Sequence, residues 1–322
     1  MAQDAVLILG NGFDLDLGLP TRYSDFAKSK FWPFKRLMNK TSFDGEKIDT
    51  LNDALFRAST DSSWFDIEKT LGDYASFNGT YNSTRASYGE EVQEQAIEDE
   101  HYYNNLVDSL KKYLFSIEDT ELNRASVAAH VFQALIKSKY FTKIFSFNYT
   151  NLYSIAKRLG IESEFKYQHV HGSLTTNIIL GIESRMDFYP GYRYMCKEYN
   201  LGYETRFIKH CLEDAKDVVF FGHSLSPIDY HYFRSFFSAQ SDDNLKFDNR
   251  KSITIFTYDK DSHFDICDQL RNMNERKLDN LFGSNAFRII RTSEGITNIV
   301  DDFLAHIEQV SKPRHIMGPS VH

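Results

Sequence analysis

Five short apolar runs constrain this chain most: residues 6–9 (VLIL), 144–147 (IFSF), 218–221 (VVFF), 253–256 (ITIF) and 287–290 (FRII). Each is of strand length and rich in β-branched and aromatic residues, without the regular polar alternation of a strand that has one wet face. Such runs fit strands covered by helices on both faces. The expected fold is therefore α/β, a doubly wound, mostly parallel sheet of Rossmann-like type. About 130 residues separate the first run from the second, and strand signals there are scarce. Helical spacing appears instead in 64–77 (WFDIEKTLGDYASF), 101–122 and 125–140. We read one α/β domain over 1–322, with a large, mostly helical insertion over 23–142 and the remainder of the core over 143–310. The polar, acidic stretch 77–100 reads as a loop followed by a solvated helix. Residues 292–310 read as an amphipathic helix that either closes the domain or forms a dimer contact, and the last ten residues as a frayed tail.

Composition narrows the function classes. A net charge of −8 argues against a protein whose main business is coating phosphate backbones, so nucleic acid is not an expected partner. The 27 Phe and 19 Tyr then belong to core and pocket walls rather than to base stacking. Cys196, Cys211 and Cys267 form no CxxC pair, so neither a zinc ribbon nor a disulfide framework can be read, and no metal is expected. That usage suits a reducing cytosol. The amino terminus is too acidic, and its apolar run too short, for a signal peptide, and no window approaches a membrane span. The expected location is cytoplasmic, with no membrane partner.

The first run leads into Gly10-Asn11-Gly12, with Gly18, Pro20 and Thr21 beyond. A glycine-rich turn between a strand and a helix lets backbone N–H groups approach a diphosphate, although GxG also occurs in tight turns that bind nothing. The third glycine of the dinucleotide fingerprint would fall at Leu15, which disfavours a dehydrogenase, and no GK[ST] follows to make a P-loop. Asp14 would repel a diphosphate, so it either caps the helix or reads a ribose hydroxyl. Hydrogen-bonding side chains recur where later strands give out, in FSFNYTN and QHVHGSL, and such strand ends are where open α/β sheets bind ligands.

The order of GNGFDLDLGLP, FNYTN, VHGSL and FFGHSLSPID resembles the sirtuin-like superfamily. Its members carry a GAG loop ending in Gly-Ile-Pro, then Gln-Asn-Ile-Asp, His-Gly-Ser and Gly-Thr-Ser-Leu motifs. More narrowly, NGFDLDLGLPT, WFDIE and GHSLSPIDYHYF resemble the AbiH-like abortive-infection family of bacterial phage defence. The resemblance implies a sirtuin-like α/β core that binds NAD. It places Gly10, Gly12, Gly18 and Pro20 at the phosphate loop, with Asn11 and Phe13 beside the ligand, and Asp14 and Thr21 complete the expected cofactor-binding set. Gly222, Ser224 and Leu225 fall on a second nucleotide loop, and Asp259 on a ribose-reading position. Asn148 matches the family asparagine and His171 its catalytic histidine. Thr150 departs from the usual aspartate, Arg22 is displaced by one position, and the four-cysteine zinc module is missing, so a deacylase is not expected.

These residues imply an NAD glycohydrolase, with NAD as substrate, cleaving it to nicotinamide and ADP-ribose in anti-phage abortive infection. The nicotinamide is already cationic and leaves without acid help, so the enzyme has mainly to stabilise oxocarbenium charge. Asn148 would orient water or a ribose hydroxyl, and His171 would act as base, with His169 as a fallback. The alternative is a non-catalytic sensor of NAD or ADP-ribose. Each residue also has a structural reading: Asn148 as a helix cap, His171 as a turn residue, His223 as ligand contact or cap. Asp229, Tyr230 and His231 read as a helix opening at Pro227, and one of Asp66 and Glu68 as reaching the pocket from the insertion. A homo-oligomer and a phage or host trigger are the further partners that a silent defence enzyme calls for.

Overall fold

The computed structural model describes residues 5–36, 40–41, 47–48, 50–61, 65–84, 89–200, 202–203 and 206–311. Trp64 of the WFDIE stretch and the tail beyond 311 lie outside the described residues. All five apolar runs form strands: β1 (Ala5–Leu9), β2 (Phe141–Ser146), β4 (Asp217–Phe221), β5 (Ser252–Thr257) and β6 (Ala286–Arg291). A two-residue strand, β3 (Gln168–His169), falls at the QHVH stretch. The six make one sheet in the order β3-β2-β1-β4-β5-β6, and every pairing is parallel. This 3-2-1-4-5-6 order is that of the dinucleotide-binding fold, whose ligand crevice opens at the carboxyl ends where the order reverses, here between β1 and β4.

The strand sequences explain the two-sided cover. Side chains alternate between faces along a strand, and β1 sends Ala5, Leu7 and Leu9 into one core and Val6 and Ile8 into the other. The first core is built with α1 (Asn11–Asp16), α6 (Val127–Ser138), α7 (Leu152–Arg158) and α12 (Asn298–Ser311). The second takes in α8 (Arg206–Asp214), α9 (Tyr230–Gln240), α10 (Lys260–Met273) and α11 (Leu278–Ser284). Helix α12 closes the domain: it packs on α6, and Phe303 meets Phe256 with ring centroids 5.1 Å apart. Burying each such ring removes enough apolar surface to contribute about 2 kcal/mol.

The insertion forms a lobe with its own core. It comprises α2 (Tyr23–Ala27), α3 (Leu51–Asp61), α4 (Ile67–Thr84) and α5 (Gly89–Ile117), plus a two-stranded ladder of Lys40–Thr41 with Lys47–Ile48. Its limits differ from the expected 23–142 in two ways. Helix α6 belongs to the sheet, because its apolar face (Val131, Phe132, Leu135) lies in the core shared with β2 and α1. Leu174 to Cys196, expected in the α/β core, packs instead into the lobe. The acidic stretch also departs from expectation. It is helical on both sides of residues 85–88, and Asp99 is wholly buried, accepting from Leu51 N (2.9 Å), Tyr74 Oη (2.7 Å), Gln95 Nε2 (3.0 Å) and Tyr192 Oη (3.1 Å). A carboxylate ringed by donors thus ties α5 to three other segments of the lobe.

The sheet also dictates why the turn after β1 is bare. It lies against the turn after β4, and Gly10 N donates to Phe221 O (3.0 Å) while Gly12 N donates to Gly222 O (2.8 Å). A Cβ on Gly12 would stand 2.7 Å from Gly222 Cα, and one on Gly222 would stand 2.2 Å from Phe13 N at a φ of +65°. Both glycines are therefore required by contact between two backbones. Gly12→Ala or Gly222→Ala is expected to cost about 2–4 kcal/mol or to prevent folding, in urea unfolding without any ligand. Gly18→Ala, where the nearest neighbour is 3.8 Å away at a φ of +86°, should cost only about 1–2 kcal/mol.

Candidate active site

The carboxyl ends of β1, β2 and β4 converge on two linked polar clusters. The first lies under the glycine turn. Asp14, inside α1 rather than at its cap, is 1 % exposed. Its Oδ1 accepts from Asn148 Nδ2 (3.0 Å) and its Oδ2 from Thr150 Oγ1 (2.9 Å). Asn148 Nδ2 also donates to Gly10 O at 3.0 Å. Asn148 is thus not the cap of α7, a role taken by Asn151, whose Oδ1 accepts from Tyr153 N and Ser154 N. Burial pushes the Asp14 carboxyl up to about 7, against the lowering effect of the bonds from Thr150 and Asn148.

The second cluster holds the histidines. His171 and His223 flank Phe147, with ring centroids at 5.2 and 4.4 Å, and both approach one carboxylate. His171 Nε2 stands 3.9 Å from Asp229 Oδ1, and both atoms are buried without a hydrogen-bond partner. His223 Nε2 stands 3.6 Å from Asp229 Oδ2. His223 Nδ1 accepts from Leu225 N (3.0 Å), which puts the proton of the neutral ring on Nε2, towards Asp229. Leu225 reaches that bond in a left-handed conformation, φ 53°, a strain of roughly 1–3 kcal/mol for a leucine. Burial takes His171 well below its ordinary range, reinforced by Lys197, His223 and His231, and takes His223 down to about 3. Both rings are neutral at physiological pH, and His171 presents an imidazole able to accept a proton.

The other expected residues take distinct places. Asn11 and Ser224 are exposed on the two turns, and Asn11 Oδ1 accepts from Thr21 Oγ1 at 2.5 Å. The Pro20 carbonyl accepts from Tyr113 Oη of the lobe (2.6 Å). Phe13, expected beside a ligand, is wholly buried between Phe132 and Phe221 as a core residue. Asp259 caps α10, its Oδ1 accepting from Ser262 N and Oγ at 2.9 Å each, and that bonding holds its carboxyl below the usual range. His169 Nδ1 contacts Asn148 O at 2.9 Å. Of the two insertion carboxylates, Glu68 reaches the site, 2.8 Å from Lys197 Nζ, while Asp66 Oδ1 accepts from Lys69 N at the start of α4.

Sequence reasoning read Asp229 only as part of a helix opening and did not single out Glu183 or Lys197. Asp229 ends the short turn of helix that opens at Pro227, and its role depends on the distant strand end that delivers His171. Its one local signal is a carboxylate two residues before His231, and His231 Nδ1 in turn pairs with Glu183 Oε1 at 2.7 Å. A groove of about 650 Å³ lined by Glu213, Lys216, Phe236, Gln240, Lys246 and Lys251 lies at the opposite end of the sheet, by the amino ends of β4 and β5. Its Lys251 is engaged, Nζ donating to Glu213 O and Ala215 O.

The Asp14 cluster carries a pH signature. Between about 4 and about 7 the folded protein keeps a proton that the unfolded chain has released, so this group's contribution to stability falls as pH rises through that window and is level above it. The unfolding free energy of the wild type relative to Asp14→Asn is expected to drop by up to about 4 kcal/mol from pH 4 to pH 8, measured by urea melts.

No helix among the described residues is long and apolar enough to cross a membrane. A comparison with curated proteins finds no match. A family model described as bacteriophage abortive infection AbiH matches residues 6–247, well over half of the chain. With its motifs spread over β1, β2 and β4 and the lobe between them, the chain belongs to the AbiH bacteriophage abortive-infection family.

Proposed function

We propose that this AbiH protein is a sirtuin-like NAD hydrolase that releases nicotinamide and ADP-ribose during abortive infection. The observation that carries the reading is the buried pair His171 Nε2 and Asp229 Oδ1, facing each other at 3.9 Å at the ligand-binding end of a 3-2-1-4-5-6 sheet. The amides of Gly10, Gly12 and Phe13 donate within the protein. The glycines therefore bring two turns together, and Asn11, Thr21 and Ser224 on the rim are the side chains suited to the diphosphate and ribose. In the reaction the bond from ribose C1′ to the nicotinamide nitrogen breaks, its electron pair going to the departing ring. Water oxygen bonds to C1′ and passes its proton to His171 Nε2, and Asp229 stabilises the imidazolium that results. The proton then leaves to solvent.

One observation favours the sensor reading: the Asn148 amide is tied to Gly10 O and Asp14 Oδ1, so its donors hold the turns together. Nicotinamide release separates the two. In the hydrolase, His171→Ala lowers kcat about 10²–10⁴-fold, Asp229→Asn lowers it with intact folding, and cellular NAD falls on phage challenge only with the active protein. ADP-ribose binding by calorimetry with no nicotinamide release, in vitro or in challenged cells, would make the site a sensor.

A further inference from the structure

We infer that Lys197, held by Glu68 of the helical lobe, is the positioning residue for the His171–Asp229 pair, so that the lobe completes the site. The inference rests on the reading of that pair as the reacting centre. Lys197 is 1 % exposed, and its Nζ lies 2.8 Å from Glu68 Oε1, which also accepts from Gly181 N at 3.3 Å. Backbone bonds fix the lysine in place: Lys197 N donates to Ile182 O (2.9 Å) and Ile182 N to Met195 O (2.8 Å). The same two adjacent segments present Glu183, whose Oε1 meets His231 Nδ1 at 2.7 Å, and His231 Nε2 meets Tyr203 Oη at 2.7 Å. His231 lies two residues beyond Asp229 at the start of α9. The segment from Ile182 to Lys197 is thus tied on one side to α4, by Lys197 with Glu68, and on the other to the start of α9 beside Asp229, by Glu183 with His231.

The electrostatics agree with that geometry. His171, His223 and Ser226 stand 3.9, 3.6 and 3.4 Å from the Asp229 carboxylate, and the charges of Lys197, His231 and Glu183 also act on it. Burial drives the Asp229 carboxyl up, and the Lys197 ammonium is the first influence to oppose it. Burial also works against the ammonium, yet Glu68 and Asp229 hold Lys197 above its ordinary value. Lys197 therefore favours the ionised form of Asp229, the form that stabilises the imidazolium once His171 Nε2 has taken the proton of water, and at the same time disfavours a proton resting on His171. Glu68 competes for the same ammonium, so the two residues pull Asp229 in opposite directions.

That opposition makes the test directional. The Asp229 carboxyl is followed by ¹³C NMR in the full-length protein, assigned by its loss in Asp229→Asn, alongside the pH profile of nicotinamide release. In Lys197→Met the Asp229 midpoint and the acid limb of the profile move up, kcat at pH 7 falls about tenfold, and KM stays within about twofold. In Glu68→Gln the midpoint and the limb move down. An Asp229 midpoint unmoved in folded Lys197→Met, or moving the same way in both variants, overturns the proposal and leaves Lys197 as a partner for Glu68 alone. Should Lys197→Met fail to fold, the direction in Glu68→Gln decides. A wild type that releases no nicotinamide overturns the hydrolase reading instead, while the carboxyl titration still decides the role of Lys197.

Discussion

The whole site depends on two turns being close enough for their backbones to touch. The turn after β1 and the turn after β4 meet at Gly12 and Gly222, joined by Gly10 N to Phe221 O and Gly12 N to Gly222 O. Central strands β1 and β4 are neighbours in register from Ala5 with Asp217 to Leu9 with Phe221, so their turns leave the sheet at the same level. Without Cβ atoms the turns close over each other. That contact brings Asp14, on the helix after the first turn, under Asn148, and sets His223, on the second turn, beside Phe147.

Around this contact the protein removes an unusual number of ionisable groups from water. Asp14, His171, His223, Lys197 and Glu183 are all buried, and Glu68, Asp229 and His231 nearly so. Isolated charges would be costly there, but paired ones interact far more strongly than in water. The clusters divide the labour. Asp14, Asn148 and Thr150 are mutually satisfied and fasten β1 to β2, whereas His171 Nε2 and Asp229 Oδ1 face one another unbonded. A satisfied network gives rigidity, and a pair of buried groups without partners is where chemistry is to be sought.

The lobe is more than a decoration on the sheet. Its core reaches across to Leu174–Cys196, and Tyr113 of α5 holds Pro20 O beyond the glycine turn. Through Glu68 and Lys197 it also contributes charge beside Asp229. Family membership points to a role in phage abortive infection.

The strands were legible because burial on both faces leaves a local signature, as β1, β4 and β5 show, and even the half-buried edge strand β6 kept enough apolar character to be read. The turn after β1 and the helical character of the insertion were legible too, because glycine spacing and helical periodicity are local patterns. Asp229 was read only as a helix opening, Lys197 and Glu183 were not singled out, and Phe13 and Asp259 were read as ligand contacts. Their roles arise between segments far apart in the chain: Phe13 is claimed by Phe132 and Phe221, Lys197 by Glu68, and Asp229 by His171. The sequence alone determined a parallel α/β sheet with a helical insertion and polar residues at its strand ends. Tertiary structure decided which of those residues became core, cap, fastening or unbonded buried pair, because burial and a partner's distance set a side chain's chemistry, and neither is a property of its neighbours in sequence.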